Sequence, residues 1–126
     1  MRVARPTDSL DVLTAMYADG LGLAVLGKFN DHDGYDGVML GRPSSHYHIE
    51  FTSSRSQPAE GAASPEHLLV FYYPDREAWS HRCQRMVTAG FREVMPENPY
   101  WKAHGKTFED VDGYRVVICN AEWPAS

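Results

Sequence analysis

Two stretches of this chain repeat one another, and that duplication limits the folds open to it. Thr7-Asp8 leads into Leu10, Leu13, Met16 and Tyr17, apolar positions at helical spacing that stop at Gly20. Pro74-Asp75, 67 residues later, leads into Trp79, Cys83, Met86 and Val87, which stop at Ala89-Gly90. Gly90 lies 70 residues after Gly20. Asp8 or Ser9 in the first copy and Asp75 in the second are placed to cap their helices. A strand-like run precedes each helix, Arg2 to Thr7 and His67 to Tyr73. Three more follow each: Leu21 to Leu26, Gly37 to Leu40 and His46 to Phe51, then Phe91 to Met95, Lys106 to Glu109 and Tyr114 to Asn120. The order strand, helix, three strands therefore occurs twice. One such unit alone leaves a sheet with a bare face. Two together cover one face with helices and keep the other for a cleft.

The halves meet at a stretch of Ser, Ala, Gly, Pro and Gln with almost nothing to bury. This places a first module at about 1–53, a linker at about 54–65 and a second module at about 66–121. With 126 residues, the two modules form one α+β domain. A domain of that size buries roughly two-thirds of its unfolded surface, so it needs no disulfide or metal to fold. Cys83 and Cys119 lack metal-ligand spacing and read as free thiols. The net charge of −5 disfavours a nucleic-acid partner, whose phosphate contacts need a basic surface, so none is expected. No apolar run approaches the roughly 18 residues of a membrane span. The opening stretch Met1 to Pro6 lacks the apolar core of a secretion signal, so a cytoplasmic location is expected.

With these residues on the page, the chain resembles the vicinal-oxygen-chelate superfamily, which holds the glyoxalases, bleomycin-resistance proteins and related dioxygenases. The resemblance is carried by Thr7-Asp8-Ser9-Leu10-Asp11 through Tyr17, Gly20-Leu21-Gly22-Leu23, Ala89-Gly90 and Asn98-Pro99-Tyr100-Trp101. Its most specific stretch is Thr107-Phe108-Glu109-Asp110-Val111-Asp112-Gly113-Tyr114, which looks like the turn into the family's last strand. The resemblance covers nearly the whole chain apart from the linker. It implies two βαβββ modules around a cavity. In many members that cavity holds a divalent metal on four positions, from the first and last strands of each module. Carried over, those positions fall on Arg2, Glu50, Leu69 (with His67 two residues earlier) and Val117. Glu50 matches as a ligand or proton-transfer base. Arg2 cannot ligate a cation, because a guanidinium has no lone pair to give. Val117 cannot either. A displaced set of His48 and Glu50 with His67 is the remaining way to hold a metal, with His46 on the same alternating face.

The cleft also suggests other chemistry. The repeat aligns Glu50 with Val117 and His48 with Arg115, so Arg115, Val117 and Cys119 should line it together with Arg2. Two arginines favour an anionic group, which a guanidinium grips with a two-pronged fork. The competing reading pairs Arg2 and Arg115 with Glu50 or Glu109 as structural ion pairs. Tyr100 and Trp101, in a Pro-led loop, form either a lid over a ligand or packing against a sheet edge or a second copy. Cys83 reads as core. His32, His81 and His104 read as surface or turn residues. The expected function is binding of a small, anionic organic ligand in the cavity between the modules, with a degenerate metal site. The alternative is a metal-dependent lyase or dioxygenase with a rearranged ligand set. A homodimer is implied by the resemblance.

Overall fold

The computed structural model describes residues 1–123. In the first module, β1 (Arg2–Pro6) leads into α1 (Leu10–Leu21), then β2 (Ala24–His32), β3 (Tyr35–Gly41) and β4 (His48–Ser54). The second repeats this with β5 (Leu68–Tyr72), α2 (Arg76–Thr88), β6 (Arg92–Val94), β7 (Gly105–Glu109) and β8 (Arg115–Cys119). A single 3-10 turn, Pro99–Lys102, is inserted between β6 and β7 and is capped by the Asn98 side chain. Each module is one four-stranded mixed sheet, ordered β1-β4-β3-β2 and β5-β8-β7-β6. The first strand of each runs parallel to the last; the other pairings are antiparallel. This is the two-module βαβββ architecture of the vicinal-oxygen-chelate fold.

Alternation along the strands sorts the side chains into two faces. Ile49 and Phe51 of β4, with Val38 and Leu40 of β3, pack under the helices, as do Val116 and Ile118 of β8 with Phe108 of β7. Fully burying one such side chain contributes about 1.5–3 kcal/mol. The helices contribute Leu13, Met16, Tyr17 and Leu21 from α1 and Cys83 and Met86 from α2, so one core runs through both modules.

Gly20 does not end α1. It lies inside the helix, where an added Cβ would come within 2.9 Å of the Phe91 ring. The residue that stops the helix is Gly22, in the left-handed region at φ 70°. Arg82 of α2 donates to the Gly20 carbonyl at 2.7 Å, satisfying an end group of α1 with a cation. At the other end Ser9 holds the cap position but makes no side-chain capping bond, and Asp8 instead accepts from the Ala59 amide of the linker. In α2, Asp75 does cap, accepting from the Ala78 amide at 2.9 Å.

A buried polar chain also joins the modules. The Tyr17 hydroxyl donates to Asp110 at 2.7 Å, and Arg5 donates to the same hydroxyl at 3.4 Å while lying 4.2 Å from the Tyr114 ring centre. Burial, helped by the Asp110 charge, drives the Tyr17 pKa well above its ordinary value.

Candidate functional site

The face of the first sheet that carries no helix is open. Register places Arg2 beside His48 and Ala4 beside Glu50 across β1 and β4. Met39 of β3 is opposite Glu50, and the Phe29 ring of β2 lies over Gly37. Farther along β4 on the same face, Thr52 and Ser54 border a cavity of about 290 Å³, closed by Pro6, Tyr35 and linker residues 57–60.

Within this face three polar side chains meet. Arg2 Nε donates to His48 Nε2 at 2.8 Å, and another Arg2 nitrogen lies 3.4 Å from Glu50 Oε2. A guanidinium N–H can only donate, so Nε2 of His48 must accept and the ring proton sits on Nδ1. Glu50 is largely covered, with its side chain 13% exposed, whereas the Arg2 side chain is 50% exposed. The arginine is thus held from below by two acceptors and offers its outer N–H edge to solvent. As arranged, His48 and Glu50 are not free ligands for a divalent ion, because each already faces a cation that cannot ligate one.

The matching face of the second sheet is built differently. Arg115, Val117 and Cys119 do share it, opposite Glu109, Thr107 and Gly105 of β7. Val117 and Thr107 are buried. Arg115 is pinned by Glu109 at 3.1 Å and also donates to the Met95 carbonyl. Arg92 holds the other Glu109 oxygen at 2.7 Å. These contacts, with that of Arg92 the largest, keep the Glu109 carboxyl below its ordinary pKa. Tyr100 and Trp101 stand edge to face at 5.0 Å in the 3-10 turn beside this face. Tyr100 is exposed and Trp101 half-buried; Trp101 lines a 50 Å³ crevice with Leu68, Pro96 and Glu97. The strand pairing also shifts one position read from the repeat. Arg2 pairs with His48, and it is Leu68 that pairs with Arg115, so Leu68 is the counterpart of Arg2. Leu69 belongs to the helix-covered face, where it packs on the core. A one-residue slip between strands exchanges faces.

His46 and His67 fall outside the strands. His46 precedes β4, is exposed, and its carbonyl accepts from the Met1 amino group at 2.6 Å. His67 precedes β5 and is exposed. Neither joins His48 and Glu50, and among the described residues no three His, Cys, Asp or Glu side chains gather as a metal site. Cys83 is buried with its thiol pushed up to about 11, and burial raises Cys119 too, so neither is poised as a nucleophile.

Between the modules lies an apolar groove of about 310 Å³ lined by Met1, Val3, Tyr47, Ile49 and the β5 residues 69–72. Arg2, His48, Glu50 and Arg115 are not part of its lining. It continues into a 250 Å³ hollow that shares Tyr47, Phe71 and Tyr72 and adds Arg42 and Ser45. The aromatic run in β5 signals this groove in the sequence, whereas Tyr47 carries no recognisable pattern.

Comparison with known proteins adds the family. Residues 1–52 match the YycE-like N-terminal domain and residues 66–120 the YycE-like C-terminal domain. The uncharacterized protein YycE of Bacillus subtilis (strain 168) is 42% identical over 122 residues, spanning 97% of this chain and 88% of that protein. The chain belongs to the YycE-like family. A crystal structure of a YycE protein of unknown function from Bacillus subtilis superimposes with a TM-score of 0.91 at 41% identity, over 99% of this chain and 91% of the other. The fosfomycin resistance protein FosX from Mesorhizobium loti shares the fold, with a TM-score of 0.75 at 10% identity over 97% of this chain and 90% of its own. The chain thus has the fold of the vicinal-oxygen-chelate superfamily, as its motifs imply.

Proposed function

We propose that this YycE-like protein binds a small anionic organic ligand on the open face of its first module, with Arg2 as the anchoring cation. The observation that carries this reading is the Arg2 guanidinium, fixed by His48 and Glu50 yet half exposed. An oxyanion such as a carboxylate or phosphonate suits the outer N–H edge. The 290 Å³ cavity begins farther along β4, at Thr52 and Ser54, and would take the organic part of a ligand long enough to reach it from Arg2. A fosfomycin resistance protein with the same fold is consistent with small-molecule binding. Arg115, tied to Glu109, serves mainly to hold its own module together. Tyr100 and Trp101 flank the second module's face, where they would cover a ligand only if a second copy brings the two faces together.

We further propose that the protein is a homodimer. β1 and β5 are both edge strands and both border the apolar inter-module groove, which leaves an unpaired backbone edge beside exposed apolar surface.

The degenerate metal site belongs to the same reading: a guanidinium at position 2 and a valine at position 117 do not fit a resident divalent ion. Calorimetric titration with a panel of small carboxylates and phosphonates tests the ligand. Arg2→Gln should weaken binding of any hit by about tenfold to a hundredfold, the worth of a charge-assisted hydrogen bond. Unchanged affinity in that variant would move the site elsewhere. Turnover that requires added divalent metal and is lost in Glu50→Ala would replace the binding reading with the lyase or dioxygenase alternative.

A further inference from the structure

His48 and Glu50 aim acceptor atoms at a single cation, and that cation is a side chain of the neighbouring strand. Arg2 lies in register with His48, and Glu50 is two residues farther along the same face. Side chains at such positions stand roughly 5–7 Å apart at their roots and can converge on one point above the sheet. Here the point of convergence is filled by guanidinium, with contacts of 2.8 Å and 3.4 Å.

We propose that Arg2 is the resident cation of this face, occupying the space between His48 and Glu50 that a divalent ion would need. It excludes such an ion in two ways. It consumes the Nε2 lone pair of His48 and one oxygen of Glu50, and its permanent charge repels a second cation placed within a few ångströms. The exclusion rests on one residue. Replacing the guanidinium with a neutral imidazole would set two nitrogens and a carboxylate on one sheet face, three protein ligands of the kind that hold zinc or cobalt with an open position. The chain would then be one substitution away from a metal centre. This inference uses the residues of the ligand reading but no ligand, so the two can fail separately.

Equilibrium dialysis against Co²⁺, with elemental analysis and visible absorption, tests it on the full chain. Wild-type protein should retain no Co²⁺ that depends on His48. Arg2→His should take up one equivalent, at least tenfold more tightly than wild type, and show the d–d absorption of an imidazole- and carboxylate-bound cobalt. Adding His48→Asn or Glu50→Gln to that variant should abolish the band, which separates the site from the exposed histidines 46 and 67. Circular dichroism and a melting curve establish that each variant is folded. Should Arg2→His fail to fold, Arg2→Gln supplies an amide oxygen in its place and should shift cobalt uptake in the same direction. The proposal is overturned if wild-type protein holds one equivalent that is lost with His48→Asn. It is overturned equally if a folded position-2 variant binds no more cobalt than wild type.

Discussion

Asp110 is only 6% exposed, yet three donors reach it: the Tyr17 hydroxyl and the amides of Asp112 and Tyr114. Burial raises its pKa and these bonds pull against the rise, with burial prevailing. Tyr17→Phe should therefore destabilise the protein by about 1–3 kcal/mol in urea unfolding, the cost of withdrawing one partner from a buried carboxylate. The two adjacent acids respond to pH in opposite senses. Glu109 has a folded pKa below its ordinary value, so the folded state binds fewer protons than the unfolded chain. Its contribution is present above the ordinary glutamate range and lost as pH falls through the folded value. Asp110 has a raised folded pKa, so its contribution is present at low pH and lost as pH rises through that value. The stability difference between wild type and Glu109→Gln should thus be wider near about pH 7 than near about pH 3, measured by urea melts at both. The sequence makes Glu109 and Asp110 visible as part of a turn motif. It does not reveal that Tyr17, 93 positions away, is the partner of Asp110.

Among the elements, the contact between α1 and α2 depends on the absence of a side chain at position 20. An added Cβ there would meet the Phe91 ring at 2.9 Å and the Met86 sulfur at 3.1 Å. Ala is the better helix former by about 1 kcal/mol. Overpacking a filled core costs about 1–3 kcal/mol. Gly20→Ala should therefore lower stability on balance, seen as a reduced urea midpoint with an unchanged slope. Periodicity and turn residues locate both helices and a run overlapping each of the eight strands. They put the end of α1 at Gly20 because a glycine that admits a neighbouring helix and one that ends its own look alike in a linear pattern. The strand ends are misread for a related reason. His46 and His67 continue an alternating pattern into residues whose backbones pair with no neighbouring strand.

For the whole molecule, the two modules share a core but keep their helix-free faces unlike. The first presents Arg2 over His48 and Glu50; the second buries Val117 and Thr107 and locks Arg115 to Glu109. A second copy seated on the apolar groove would cover the β1 and β5 edges. Sedimentation equilibrium should then give twice the 14.2 kDa chain mass. Val70→Lys, which places a charge in the groove lining, should shift the protein toward monomer without unfolding it. A wild-type monomer at tens of micromolar would remove the dimer from the proposal. The duplication and the spacing of apolar residues determine the βαβββ modules by themselves, since burying one face of each element requires those periods. The family resemblance of the motifs implies, in addition, that Arg2 and Val117 stand where ligands of a metal are expected. Only the tertiary structure decides that Leu68, not Leu69, corresponds to Arg2, because register is set by backbone pairing between strands 47 residues apart in sequence. It alone decides, too, that Arg115 is nearly covered in its ion pair with Glu109 while Arg2, paired with Glu50, stays half exposed. Two side chains of identical chemistry differ there through the neighbours that folding brings to them.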